Sequence, residues 1–530
     1  MLQLIRPAFA TAFIFCTLAA CSGGGSGDDG AGASGASGGS GGAGASGGSG
    51  SSSGGGGSGG SGAGGGGALG GPFRYGVNYG FPNPGWNDQN LAFLSHEAGS
   101  NSARLKLSEQ HLDTWGYDIE VGDMKGYAEL GMGEHVAFLG VPTPEHATAP
   151  AGTPNWELEH YIPKNLYEPV FNGDGSINPN NYWGSYVYQT VTTYKPWVRV
   201  WEVWNEPDWV PDWQVTQTWD TEPPTKEQLV RFGGSIYDYV RMLRVSFEAA
   251  KKADPEARIA LGGIGYPNFL SAVLRYTDNP SGGVVTNDYP KTGSSYFDVV
   301  SFHYYPVFGP GSSDEGVTGF LKLKSDLDKK LTDAGVTGKG WIVTETGAPH
   351  VAVGGAPGGA EYAPNYLVKV MTAAQTVGIE RIDWFCLSDG KAVGASTNSF
   401  DYMGLYVDVS KLGQTSEAVR TEAGRAYRTL GKLLEGALFD KTGTTALGLP
   451  DTVGGAAFRL PDMRRAFVLW ARTKGGNETA SASYSLAAEG SYESYGLDFG
   501  DTGAVETLSP DGGKISLTLG GAPRIYVQKP

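Results

Sequence analysis

The chain has 530 residues, 40% of them hydrophobic and 12% aromatic, with 39 Lys and Arg against 55 Asp and Glu. The net charge of −16 argues against nucleic acid or an anionic membrane surface as the main partner. Seven scattered histidines and three cysteines, with no His-x-x-x-His or Cys pairing, argue against a zinc site, and no cofactor or metal is expected.

In chain order, Arg6 precedes an apolar run through Phe13, Ile14 and Phe15, which reads as a secretory signal too short to span a bilayer permanently. It ends in Leu18-Ala19-Ala20-Cys21, which resembles the bacterial lipobox. That resemblance implies cleavage before Cys21, diacylation of its thiol, and, with Ser22 following, a lipid anchor in the outer membrane or at the cell surface. Residues 22–71 hold 28 of the 84 glycines and cannot build a core. They read as a flexible tether of roughly 40 Å r.m.s. span. Cys386, between Phe385 and Leu387, reads as a buried, inert thiol, so no disulfide is expected within the mature chain.

From residue 72 onward short apolar strands alternate with amphipathic helices. Strands are expected at Tyr75–Tyr79, Ser102–Leu107, His135–Leu139, Val198–Trp204, Arg258–Leu261, Phe297–Phe302, Trp341–Thr344 and Ile382–Leu387. The clearest helix is expected to open with a Thr225/Gln228 capping box and to line one face with Leu229, Ile236, Val240, Leu243, Phe247 and Ala250. Eight strands and eight helices in strict alternation predict a (β/α)8 barrel over 72–435. A doubly wound sheet is disfavoured, because no Gly-x-Gly-x-x-Gly follows the first strand. Residues 436–530 show short strands with no helix between them and read as a small β-sandwich covering the barrel flank.

A barrel of this kind keeps its chemistry at the carboxyl ends of its strands. Strand four ends Trp204-Asn205-Glu206-Pro207, and strand seven ends Thr344-Glu345-Thr346-Gly347. Two carboxylates facing each other across the mouth suit glycosidic cleavage, one as proton donor and the other as nucleophile or stabiliser. Glu202 lies earlier on strand four and reads as structural.

The run Val200 to Pro207 resembles strand four of glycoside hydrolase clan A, the retaining (β/α)8 β-glycosidases. That resemblance implies Glu206 as acid/base, Asn205 as ligand of the sugar 2-hydroxyl and Glu345 as nucleophile. It further implies Arg104 beneath the nucleophile, Tyr305 of His303-Tyr304-Tyr305 as donor to it, His303 in the catalytic shell, and Trp384 as the aromatic floor under the sugar. Trp209, Trp213 and Trp219 follow Glu206 in a loop where exposed rings would stack on neighbouring sugars. Families thirty-nine, thirty and five are nearest, and Phe138-Leu139-Gly140, where family five usually shows a His, lowers the last. The expectation is a monomeric, surface-tethered retaining glycosidase acting on oligo- or polysaccharide. A non-catalytic carbohydrate-binding lipoprotein and a transglycosylase are the alternatives.

Overall fold

The computed structural model describes residues 71–80, 88–309 and 311–530. The signal segment, Cys21 and nearly all of the Gly/Ser tether lie outside the described residues. Among the described residues no helix is long and apolar enough to cross a membrane.

Eight parallel strands close into a barrel: β1 (Arg74–Gly80), β2 (Ser102–Lys106), β3 (His135–Leu139), β4 (Val198–Val203), β5 (Arg258–Leu261), β6 (Val299–Tyr304), β7 (Gly340–Thr346) and β8 (Arg381–Ser388), which pairs back onto β1. Around them lie α1 (Asp88–Glu97), α2 (Glu109–Trp115), α3 (Val121–Glu129), α4 (Tyr182–Tyr194), α5 (Ile236–Ala253), α6 (Pro267–Arg275), α7 (Ser313–Asp333), α8 (Tyr362–Thr376) and α9 (Glu422–Leu434). The fold class is the one expected, and each strand falls within two residues of its expected bounds.

Two helical expectations need correction. The helix before β5 does not open at Thr225. Gly233, in the left-handed region at φ +73°, breaks the pattern, and α5 opens at Ile236 under a Ser235/Asp238 capping box. Thr225 and Gln228 do meet, but in a turn, where the Gln228 side-chain oxygen Oε1 accepts from the Thr225 N–H (3.0 Å) and from the Trp219 indole (3.0 Å). Between β5 and β6 the helix is the short α6, with Pro267 in its first turn and no side-chain cap hydrogen bond; its nine residues gave the sequence reading no placement.

The barrel interior is layered. Val136, Val200, Ala260, Val299 and Ile342 form an apolar floor. Above it lies a polar storey that includes Asn78, Arg104, Glu202, Ser301, Thr344 and Asp383, mostly buried. Polar groups so deep are tolerable only when paired, and these are: Ser301 and Thr344 donate to Glu202, and Arg381 pairs with Asp383 (2.8 Å).

After α9 come β9 (Leu438–Phe439), β10 (Val453–Arg459), β11 (Arg465–Ala471), β12 (Ser481–Ala487), β13 (Tyr492–Tyr495), β14 (Val505–Leu508), β15 (Lys514–Gly520) and β16 (Arg524–Gln528). Six form one antiparallel sheet in the order β14-β13-β16-β11-β10-β9, while β12 and β15 pair separately. Phe467, Leu469, Leu486, Ile515, Leu517, Leu519 and Tyr526 fill the core between them. The expectation of strands with no helix between them is corrected: short helices at Lys441–Ala446 and Phe499–Thr502 interrupt them, and β9, β13 and β14 are strands that the sequence pattern does not reveal.

The seam between barrel and sandwich is charged, with its central ion pair buried. Lys369 of α8, fully buried, donates to Asp314 of α7 (2.7 Å), and Asp314 also accepts from the Trp470 indole (2.9 Å) and from the Thr473 backbone and hydroxyl (both 2.9 Å). Glu478 reaches back from the sandwich to Ser313 and Asn365 (2.7 Å each).

Candidate active site

The end of β4 is strained in a defined way. Trp204 (φ +70°) and Glu206 (φ +46°) both sit in the left-handed region without being glycine, at about 1–3 kcal/mol each. Their surroundings hold them there. The Trp204 N–H donates to Leu139 (2.9 Å), and the Glu206 N–H donates to the Gly262 carbonyl (2.6 Å). Asp208, buried just beyond, accepts from the N–H groups of Gly265 and Tyr266 (2.8 Å each) and so ties this turn to the loop after β5. Gly262 must be glycine, since a Cβ would meet the Val203 and Trp204 carbonyls at 2.5 and 2.9 Å.

Arg104 on β2 is the hub. It donates to Glu202 (2.6 Å), to Oε1 of Glu345 (2.6 Å) and to the Asn205 side-chain carbonyl (2.7 Å), and its guanidinium lies 5.5 Å from the Phe138 ring centre. Burial opposes its charge, but Glu202 and Glu345 more than offset this and raise its pKa. The other oxygen of Glu345, Oε2, accepts from the Tyr305 hydroxyl (2.6 Å). Burial and the neighbouring Glu345 push the Tyr305 hydroxyl far up, so it stays a donor. Asn78 on β1, which the sequence reading missed, donates to the Thr344 carbonyl (2.8 Å) and accepts from Arg104 (3.5 Å).

Glu206 has two partners. Oε2 accepts from Arg231 (2.7 Å), and Oε1 faces Nδ1 of His303 (2.9 Å). Burial by itself would raise the Glu206 pKa, but the Arg231 charge and the His303 hydrogen bond outweigh it and hold the carboxyl well below its usual range. For His303, burial pulls the pKa down, while Glu345 and Glu206 together leave it above the ordinary value. The hydrogen-bond network assigns the tautomer. Thr344 spends its hydroxyl proton on Glu202, so its oxygen accepts from Nε2–H of His303 (2.9 Å), leaving Nδ1 to share a proton with Glu206. Gly263, at φ +64°, leaves room for the imidazole, because any side chain there would run into the ring.

One donor atom from each of Glu206, His303 and Glu345 lies within 4.8 Å of the others. This trio does not suit a metal ion. Each carboxylate oxygen already faces an N–H or O–H group, and two guanidiniums stand beside it. A second acidic group, Asp88, Glu120 and Asp123, also escaped the sequence reading and lies near His111, which pairs with Glu120 (2.6 Å).

Two aromatic expectations are corrected. Trp384 does not floor the cleft. It has no exposed surface, points to the helical layer beside Tyr366 of α8 (6.3 Å between ring centres) and donates its indole N–H to the Met403 carbonyl (3.0 Å). The next residue, Phe385, in register with Asn78, takes the interior face and packs edge-on against Tyr305 (6.1 Å), with Phe400 beside both. Of the three tryptophans after Glu206, Trp209 and Trp213 are exposed, but Trp219 is buried against Phe269 and unavailable to a ligand. Cys386 is buried, its thiol donating to the Ser388 carbonyl (3.0 Å). His135 is a buried core histidine whose Nδ1 accepts from the Ala103 N–H (3.1 Å).

No protein-family model matches the chain, and no curated protein sequence matches it. Solved structures do. A family 39 glycoside hydrolase from the gut symbiont Bacteroides cellulosilyticus superposes with a TM-score of 0.55 at 17% identity, over 87% of this chain and 81% of that one. A GH30 endoxylanase from Clostridium papyrosolvens gives 0.50 at 14% identity, over 87% and 98%. A glucosidase from Croceicoccus marinus gives 0.50 at 11% identity, over 87% and 96%. At these identities the likeness is one of architecture, and the chain has the fold of those enzymes: a (β/α)8 barrel carrying a C-terminal β-sandwich.

Proposed function

We propose that the protein is a retaining glycoside hydrolase that cleaves β-linked glycosidic bonds in oligo- or polysaccharides. The observation that carries this reading is the approach of a Glu206 oxygen to within 4.8 Å of a Glu345 oxygen, from strands on opposite sides of the barrel mouth. Retaining glycosidases hold their two carboxyl groups about 5–5.5 Å apart, whereas inverting ones leave about 6.5–9.5 Å for a water molecule.

The surrounding donors support the division of labour. Glu345 receives hydrogen bonds on both oxygens from groups that stay donors, which suits an anionic nucleophile. Glu206 shares a proton with His303, which suits a group that must give a proton and later take one. In the first step Glu345 attacks the anomeric carbon, the glycosidic bond breaks, and Glu206 protonates the departing oxygen. In the second, Glu206 takes a proton from water as the oxygen of that water bonds to the anomeric carbon and releases Glu345. Arg104 fixes the Asn205 side-chain carbonyl, which leaves the NH2 as the donor for a bond to the sugar 2-hydroxyl.

Cys21 is proposed as a lipidated anchor that holds the enzyme on the bacterial envelope, at the outer membrane or cell surface, as a monomer. The test of function is a 2-deoxy-2-fluoro glycoside panel followed by peptide mapping, with NMR of the first-formed anomer. A label on Glu345 and retained configuration are expected. Inverted product, or a label on another carboxylate, would overturn the reading.

A further inference from the structure

Arg231 stands apart from the rest of the site. It comes from the loop between β4 and α5, it is about nine-tenths buried, and among the described residues Glu206 is the only acidic group within ion-pair distance. One of its amino groups binds Glu206 (2.7 Å), and its remaining N–H groups have no protein partner among the described residues. An arginine in this place conflicts with the acid role of Glu206. A guanidinium favours the carboxylate, yet the first chemical step needs the carboxylic acid. Protonating Glu206 would leave a buried guanidinium facing a neutral group, an expensive state unless another anion replaces the lost one.

We infer that Arg231 receives a carboxylate carried by the substrate, so that the enzyme acts on a glycan with a uronic acid at the cleavage site, and that this exchange of partners lets Glu206 take up its proton. The inference rests on the retaining-glycosidase reading for the role of Glu206, while the binding itself does not. A planar carboxylate matches the open edge of the guanidinium in the bidentate manner that arginine favours. The proton is already at hand. As Arg231 turns to the substrate, the proton shared at 2.9 Å moves from Nδ1 of His303 to Oε1 of Glu206, leaving neutral His303 with its Nε2–H on Thr344. No proton enters or leaves the site, and the substrate carboxylate replaces the charge that Glu206 loses.

The other groups around Glu206 do not perform this task. Arg104 is committed to Glu202, Glu345 and Asn205. Glu345 shares the Nδ1 side of His303 at the longer distance of 3.7 Å, and its two oxygens are taken by Arg104 and Tyr305. Tyr305 donates to Glu345, Asp208 accepts from two backbone N–H groups, and burial raises the pKa of the Tyr266 phenol, so it stays neutral. The overall charge of −16 does not decide the matter, because screening at physiological salt limits distant charges to about 8 Å.

The test titrates the full-length chain with D-glucuronate and D-galacturonate against D-glucose and D-galactose, comparing the wild type with Arg231→Gln and Arg231→Lys. The uronates are expected to bind at least about tenfold more tightly than the neutral sugars, with the preference lost in Arg231→Gln and partly kept in Arg231→Lys, which preserves the charge but not the fork. On any glycoside that the enzyme turns over, Arg231→Gln is also expected to move the alkaline limb of kcat/KM to higher pH, since removing a positive charge tightens the shared proton. Equal binding of acid and neutral sugars, or a preference that survives in Arg231→Gln, overturns the inference. Failure of the fluoro-glycoside label with the uronate preference intact overturns the glycosidase reading instead. If Arg231→Gln does not fold, the acid-to-neutral ratio of Arg231→Lys decides.

Discussion

His303 stands between the two carboxylates of the cleft, with Nδ1 2.9 Å from Glu206 and 3.7 Å from Glu345. One imidazole thus senses both residues assigned to the reaction, and its far nitrogen is fixed by Thr344, so only the inward nitrogen changes its protonation state.

A pH dependence follows from this arrangement. The His303 pKa is raised by Glu345 and Glu206 against the pull of burial. Above that raised value the pair loses its shared proton and Glu206 has none to give. The alkaline limb of kcat/KM is therefore expected above the ordinary histidine range, about 6.5. The same sign applies to folding. A raised pKa adds stability that is fully present below the unfolded value and lost as pH rises through the folded one. A His303→Gln variant is expected to lose about 10²-fold in kcat/KM together with that limb; an unchanged limb would separate His303 from the proton supply.

The two glutamates are expected to fail differently. Glu345→Ala should lower kcat by at least about 10⁴-fold on every substrate, because no nucleophile remains. Glu206→Gln should lose about 10²–10⁴-fold on poor leaving groups yet retain the first step on aryl glycosides of low leaving-group pKa, with turnover restored by azide. Comparing dinitrophenyl and alkyl glycosides measures the difference, and equal losses on both would contradict the assignment of Glu206.

Adjacent aromatics on β8 should behave oppositely. Trp384→Ala removes a fully buried ring from the barrel wall and is expected to cost about 3–5 kcal/mol in denaturant unfolding. Phe385→Leu keeps most of the volume and is expected to change stability by less than about 1.5 kcal/mol while raising KM, since Phe385 backs Tyr305 at the cleft. A raised KM in a well-folded Trp384→Phe variant with no change in Phe385→Leu would restore Trp384 as the floor.

At the seam, Lys369→Met leaves buried Asp314 with only the more distant Arg472 (3.7 Å) as a cation and is expected to cost up to about 3–5 kcal/mol. In the wild type, barrel and sandwich should melt in one calorimetric transition; two separate transitions there would show that the network does not couple them.

Much of this was legible from the chain. The alternation of strands and helices, and the placement of Glu206 and Glu345 at the ends of strands four and seven, depend on local pattern, which a sequence carries directly. The errors arise where the pattern is degenerate. Every residue of β8 is buried, so nothing in its composition says whether Trp384 or Phe385 faces the cleft; only the register with Asn78 does. The apolar spacing overextends helix α5, because Leu229 continues it across the Gly233 break. Arg231 carried no signal at all, since it lies in an irregular loop and meets Glu206 only through the tertiary fold.

The Lys369–Asp314 seam has a consequence for how such a chain diversifies. Helices α7 and α8 follow the strands that bear His303 and Glu345, and it is these helices that Trp470, Thr473 and Glu478 grip from the other side. The sandwich thus braces the two helices that follow the strands bearing His303 and Glu345. Exchanging it for an unrelated module would leave a lysine and an aspartate buried against the wrong surface, so recombination at the residue 435 boundary is constrained to modules that bring matching donors with them.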